Sequence, residues 1–405
     1  MHIRTTLFLL LSLPYLMLSA QDGSDAFSIG ETFSLQSEIL GQERPYIISL
    51  PEGYAESDKA YPVMYLLDGK GNFHHTTASV DFLTRSGRIP EMIVVGIPNT
   101  DDRSRDLTPE GESMKKDFPT SGGANNMLAF IEKELMPLIG KNYRASDYKL
   151  LVGHSFGGLF AIHTLLNHPG IFDAYLAISP SLWWDQQKLV SEQSKSFFEE
   201  QEKLVGHLYM TMGNEGGDML GGAWKLAALF EEASLSDFQW EFKLMPDETH
   251  GSVPFLSTYE GLQFIFADWR TEEMSEKVRV QGIKALDDYE AQIQKLYGIK
   301  ADWKERQLHA IGQQLVMDEE TQLALPIFKK ATNLFPESSN SWFRYGEALA
   351  KLGQKTEAIT ALKKARSLDE DNFQPIALLQ KLGEDVADLL PQVKLTKKQL
   401  KGYVG

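Results

Sequence analysis

The stretch Lys149-Leu150-Leu151-Val152-Gly153-His154-Ser155-Phe156-Gly157-Gly158-Leu159-Phe160 decides how the rest of the chain is read. Four residues of buried-strand character run into a G-x-S-x-G pattern, and a helix-like segment, Leu159–Asn167, runs out of it. The pattern alone is a weak signal. Between a strand and a helix it becomes a nucleophile elbow, a turn so tight that a serine hydroxyl is pushed up above the end of a sheet. Side chains at 153 and 157 would strike neighbouring backbone in such a turn, so glycine is required there for steric reasons. Ser155 is the candidate nucleophile.

A mostly parallel sheet needs more strands of this kind, and the chain supplies them on both sides. Apolar runs at Tyr46–Leu50, Val63–Leu67, Met92–Ile97, Tyr175–Ile178, Leu208–Met212 and Trp240–Met245 are bounded by Gly, Pro, Asn or Asp. Asn126–Leu138 has its apolar residues at helical spacing. Alternation of strand and helix predicts an α/β fold with helices on both faces of the sheet and a site at the carboxyl ends of its strands.

A serine hydroxyl needs a base within hydrogen-bond reach. The loop after the last core strand, Pro246 through Ser252, holds His250, which is the base candidate. His154 lies beside the nucleophile, His163 and His168 on or after the helix, and His207 at a strand start. His74 and His75 come too early in chain order and are candidates for substrate contact or a helix surface. The acid that orients the imidazole should follow Leu208–Met212. Glu215 follows that strand end most closely, and Asp218 is its rival. Asp247 and Glu248 are nearer His250 but out of the usual order, and a Ser–His dyad without an acid is a further alternative. An oxyanion needs two backbone donors. Phe156 N–H is one, and the loop Leu67-Asp68-Gly69-Lys70-Gly71 should give the other from Gly69 or Lys70.

These residues resemble the esterase family that includes enterochelin esterase and esterase D. The likeness rests on Leu67-Asp68-Gly69 with Asn72-Phe73, Asn99-Thr100, Arg103 through Pro109, Gly153–Gly158, Ser179 through Trp184, Gly213-Asn214-Glu215 and His250 through Pro254. It covers about residues 30–265. It implies an α/β-hydrolase fold and metal-free hydrolysis of carboxylic esters, siderophore esters among them, with members that differ in the acid. Trp183 and Trp184 follow a strand end and are read either as a pocket wall or as packing. Arg103 and Arg105 are candidates for binding an anionic or catechol-bearing substrate, or for salt bridges with Asp101, Asp102 or Asp106. The two rival functions are acyl transfer by the same residues and a non-catalytic interaction protein.

Beyond residue 272 the strand-like runs stop and a period appears. Leu308 and Trp342, Gly312 and Gly346, Ala324 and Ala358, Phe328 and Leu362, Ala331 and Ala365, and Leu334 and Leu368 are each 34 residues apart, the period of tetratricopeptide helix pairs. The segment after Asp371 is less regular. The expected organisation is a signal peptide at 1–20, an α/β-hydrolase domain at 21–272, a helical linker at 273–300, tetratricopeptide-like repeats at 301–390 and a tail at 391–405. The repeats are expected to pack on Ile283–Tyr297, and to bind a protein partner or cover part of the site mouth.

Composition narrows the classes further. The 405-residue chain carries a formal charge of −16, which disfavours nucleic acid and anionic membranes as partners. Arg4, an apolar run from Leu7 to Leu18 and Ser19-Ala20-Gln21 have the layout of a secretory signal peptide, so export to a periplasm or the exterior is expected, with no membrane span in the mature chain. There is no cysteine, which excludes disulfides, thiolate metal sites and cysteine nucleophiles. No H-E-x-x-H occurs, His74-His75 lacks a third ligand, and Gly216–Gly222 is not followed by the residues of a phosphate loop, so neither metal nor cofactor is expected.

Overall fold

The computed structural model describes residues 28–200, 204–233 and 235–389. The expected signal peptide and the 391–405 tail lie outside them. Eight strands form one sheet: β1 Glu31–Ser37, β2 Gln42–Ser49, β3 Tyr61–Leu67, β4 Ile93–Ile97, β5 Ala145–His154, β6 Ala174–Ile178, β7 Gly206–Met212 and β8 Phe238–Leu244. Their order is β1-β2-β4-β3-β5-β6-β7-β8. β3 through β8 run parallel, and β1 and β2 close one edge antiparallel. Each expected strand is present. β1 was not anticipated, because five of its seven residues face solvent and no apolar run marks it.

Every residue of β3, β4 and β6 is buried, as a parallel sheet covered on both faces requires. Helix α1, Gly69–Arg85, follows β3, and α2, Arg103–Leu107, follows β4. Next come α3, Ala124–Phe130, a π turn at Ile131–Leu135, and α4, Met136–Asn142. Pro137, which has no N–H to give, sits just after the widened turn. α5 is Phe156–Asn167, α6 Trp184–Lys188, α7 Ser194–Glu200, α8 Gly217–Ala233 and α9 Val253–Ile265. One core joins α3, α4, α5 and α8 to the sheet face carrying Tyr65, Leu151 and Met210. A second core joins α1 and α9 to the face carrying Met64, Val152 and Tyr209.

That second core continues into the helical part. α10, Met274–Gln281, and α11, Lys284–Tyr297, lead to two hairpins: α12, Glu305–Met317, with α13, Thr321–Leu334, then α14, Ser339–Lys351, with α15, Lys355–Leu368. α16, Gln374–Lys381, and a 3-10 turn at Ala387–Leu389 occupy the described part of the irregular segment. The repeated glycines are steric. A Cβ at Gly312 would lie 2.6 Å from the Phe328 ring, and one at Gly346 would lie 2.9 Å from Leu362 Cγ. In each hairpin the small residue admits the large one 16 positions later.

The first hairpin does pack on α11. Trp303, just before it, lies tilted against Tyr289 with ring centres 5.0 Å apart, and Lys330 of α13 pairs with Glu290 at 2.8 Å. Contacts with the sheet lie at its other end from the expected site: Lys304 with Glu91 at 3.1 Å, Arg88 with Glu272 at 2.8 Å, and Lys59 with Asp302. Glu91 and Lys59 precede β4 and β3. Because α9 runs back along the sheet from the end of β8, it delivers the chain to the strands' amino ends. The arm is therefore rooted away from the site mouth, which disfavours covering it, one of the two roles expected of the repeats.

Candidate active site

Ser155 sits alone between β5 and α5, with φ 60° and ψ −114°, a conformation that a non-glycine residue holds only when its surroundings enforce it. Its N–H donates to Ile178 O at 2.9 Å, and its carbonyl accepts from Leu159 N at 2.9 Å and Ser181 N at 3.1 Å. A Cβ at Gly153 would stand 2.2 Å from Gly157 O, and one at Gly158 would stand 2.9 Å from Ile178 O. Both contacts are with backbone and cannot yield cheaply. Gly153→Ala should therefore cost about 3 kcal/mol or more of stability, read as a lower denaturant midpoint. An unchanged midpoint would show that the turn is not this tight.

The β7 and β8 loops meet beside the elbow, joined by Asn214 N–H donating to Glu248 O at 2.6 Å. Glu215 Oε2 lies 2.7 Å from His250 Nδ1, and Glu215 Oε1 accepts from Ser179 Oγ at 2.6 Å. The Ser179 hydroxyl accepts in turn from Gly213 N–H at 3.1 Å. Glu215 is 12% exposed and His250 43%, so the carboxylate is beneath and the ring opens to the cleft. Asp218 opens α8, where its carbonyl accepts from Gln187 Nε2 at 3.3 Å. Glu248 takes the Ser252 hydroxyl at 2.5 Å. Of the four acids considered, Glu215 is the one bonded to His250. Among the described residues the Ser155 hydroxyl has Ser181 Oγ as its neighbour, at a long 3.4 Å, and its bond to His250 is not made. Such bonds are commonly loose without substrate. His250 nevertheless stands over the elbow, its ring 4.5 Å from that of His154.

The expected second donor loop lies on the other side. Asp68, in the left-handed region at φ 54°, turns the chain from β3 into α1. Gly71 and Asn72 N–H return to the Asp68 carbonyl, while Gly69 and Lys70 N–H have no intrahelical acceptor. A Cβ on Gly69 would meet Ile97 N at 2.5 Å, so the loop can seat only glycine there. Arg103 pairs with Asp68 rather than with Asp101, Asp102 or Asp106. Arg105 pairs with Asp106 at 2.7 Å, and Asp106 also holds the buried Arg44 at 2.6 Å. Arg105 thus makes one of the salt bridges expected of it, while Arg103 pairs with an aspartate outside the three considered.

The tryptophan pair divides. Trp184 is 1% exposed and donates Nε1–H to Pro109 O at 3.1 Å, so it is packing and not pocket wall. Trp183 is half-buried, 6.1 Å from the Phe156 ring. Phe118, unmarked in the sequence, joins them at 5.5 Å from Phe156 and 5.4 Å from Trp184. Asp185, Gln186 and Gln187 then make a left-handed turn, held by Asp185 Oδ1 accepting from Ser113 N–H at 3.0 Å and Ser113 Oγ at 2.6 Å. Of the early histidines, His75 packs edge-on to Phe255. Among the described residues no group of three or more potential ligands could hold a metal.

Burial lowers the His154 pKa to about 4, and the neighbouring His250 charge acts in the same direction. Burial also lowers that of His163 to about 4, with His168 adding to it. In the unfolded chain both titrate near 6.5. Below that pH the unfolded chain takes up protons that the folded one refuses. Stability present above pH 6.5 is then lost as pH falls towards 4, by at most about 3 kcal/mol for each ring. The melting temperature should drop between pH 7 and 4.5. A flat profile across that interval would contradict neutral burial.

Comparison with known proteins agrees with this architecture. The profile of the family described as "Putative esterase" matches residues 37–263, and one described as "Tetratricopeptide repeat" matches 315–382. Ferri-bacillibactin esterase BesA of Bacillus subtilis is 34% identical over 182 residues, 40% of this chain and 63% of that one. The siderophore enterobactin esterase of Emericella nidulans is 35% identical over 183 residues, 38% of this chain and 60% of that one. The match thus spans about six-tenths of the length of these relatives. The crystal structure of an IroE-like serine hydrolase from Shewanella oneidensis superposes with a TM-score of 0.64 at 29% identity, covering 75% of this chain and 99% of that one. On the extent of the first match and on the fold, this chain belongs to the putative-esterase family.

Proposed function

We propose that this protein is a serine esterase that cleaves carboxylic esters through an acyl-enzyme. The observation that carries the reading is the His250–Glu215 hydrogen bond of 2.7 Å beside the strained elbow of Ser155. With Nδ1–H given to the carboxylate, the ring keeps its lone pair on Nε2. Ser155 turns from Ser181 towards that nitrogen, gives up its proton and attacks the ester carbonyl. Phe156 N–H and an N–H of Gly69 or Lys70 take the developing oxyanion. His250 protonates the leaving alcohol, then deprotonates the water that releases the acid. Trp183, Phe156 and Phe118 give an aromatic wall suited to acyl or aryl groups. Siderophore esters are the substrate class suggested by the relatives' names, and the repeats suggest a protein partner. The layout of residues 1–20 supports export to the periplasm or exterior, testable by whether the secreted chain begins at Gln21.

Rapid mixing with an activated aryl ester tests the mechanism. A burst of phenol equal to the enzyme present, with the acyl group found on Ser155, is expected. Turnover without any label on Ser155 would reject it. Added alcohols report on acyl transfer, since a transferase would pass the acyl group to them in preference to water.

A further inference from the structure

We infer that Arg103 is a positioning residue that sets the spacing between the two halves of the oxyanion-binding site, an inference that rests on the esterase reading above. The two donors of that reading come from separate segments. Phe156 follows β5, and Gly69 and Lys70 follow β3. These strands are neighbours, but their pairing ends at Leu66 opposite Val152. Beyond it both chains turn sharply through positive φ, at Asp68 (54°) and at Ser155 (60°). No sheet hydrogen bond fixes one turn against the other.

Arg103 spans that gap. Its Nε–H donates to Asp68 Oδ1, and its terminal NH2 nitrogen lies 2.9 Å from Asp68 Oδ2 and 3.0 Å from the His154 carbonyl. One rigid fork therefore holds the side chain of the first turn and the backbone of the second. The guanidinium also lies 5.3 Å from the centre of the Phe156 ring, the residue whose N–H is one donor. Asn99 Nδ2–H shares Asp68 Oδ1. The fit is close, since a Cβ at Gly157 would come within 3.1 Å of Asp68 Oδ2. Arg103 is itself fixed, because it begins α2, whose cap Asp102 accepts from Arg105 N–H at 3.0 Å and from the Thr120 hydroxyl at 3.0 Å. An oxyanion site works only if its donors stand where the charge develops, so a loose loop costs rate and not affinity.

The test compares the full-length wild type with Arg103→Ala, Arg103→Lys and Asp68→Asn. Amide exchange is read at Gly71 and Asn72, whose N–H groups are held by the Asp68 carbonyl. Arg103→Ala should speed it, and should lower kcat by roughly tenfold to a hundredfold on a neutral and on an anionic aryl ester alike, with KM within about twofold. Arg103→Lys, a point charge without the fork, should recover only part of the rate. Asp68→Asn should add little to Arg103→Ala in the double variant. Unchanged exchange in Arg103→Ala, or a KM rise confined to the anionic ester, would overturn the inference, the latter in favour of a substrate anchor. Should Arg103→Ala fold poorly, Arg103→Lys and Asp68→Asn give the same two readouts. Exchange does not depend on the chain being an esterase. Released amides in Arg103→Ala alongside a wild type that turns over no ester would uphold the strut and reject the esterase reading.

Discussion

Ser155→Ala should remove ester turnover by about 10⁵- to 10⁶-fold while leaving the fold standing, a loss of the order seen when a serine nucleophile is deleted. The bonds that hold the elbow come from the backbone of residue 155, to Ile178, Leu159 and Ser181, and alanine keeps all three. The hydroxyl itself has one long contact, 3.4 Å to Ser181 Oγ, so its removal should change stability by less than about 1 kcal/mol. The measurement is aryl-ester turnover together with a denaturant midpoint. Ser181→Ala is the control that matters, because Ser181 is the other hydroxyl within reach and should retain activity within a few fold. A Ser155→Ala protein that keeps more than about a hundredth of the rate, or a Ser181→Ala protein that loses it, would move the nucleophile elsewhere.

What could be read in advance follows from how local each feature is. The parallel strands announce themselves because both their faces are buried and their residues are apolar without interruption. β1 does not, because an exposed edge strand such as Glu31–Ser37 carries no such run. Gly153 and Ser155 were legible because the turn's steric demand falls within five consecutive residues. The hairpins were legible because each glycine repeats opposite its large partner. Features made across the fold were not. Asp68 and Arg103 are 35 residues apart and belong to no pattern, so the arginine looked like a substrate anchor or a partner for the nearby aspartates. Trp183 and Trp184 are neighbours in sequence, yet the first is half-buried and the second fully buried with its Nε1–H on Pro109 O, a partner 75 residues away that no local pattern announces. The arm's seat was hidden for the same reason, since it depends on Lys304 meeting Glu91 across more than two hundred residues.

Glu215→Gln should lower kcat by roughly 10³- to 10⁴-fold, and Asp218→Asn should leave it within about twofold. Glu215 has two tasks in this geometry, and glutamine fails at both. As a carboxylate it accepts at each oxygen, from His250 Nδ1–H and from the Ser179 hydroxyl. An amide can offer oxygen to only one of them. If its oxygen keeps Ser179, its NH2 faces His250 and forces the tautomer with the proton on Nε2, which cannot accept from Ser155. If instead its oxygen keeps His250, the negative charge that steadies the imidazolium is still gone, and Ser179 loses its acceptor. KM should move little, because neither group touches the substrate in this arrangement. Asp218, at the start of α8 and engaged with Gln187, has no part in this chain of bonds. Equal losses in the two variants would mean a shared electrostatic effect instead of a specific partner, and an unaffected Glu215→Gln would show that Ser155 and His250 work as a dyad.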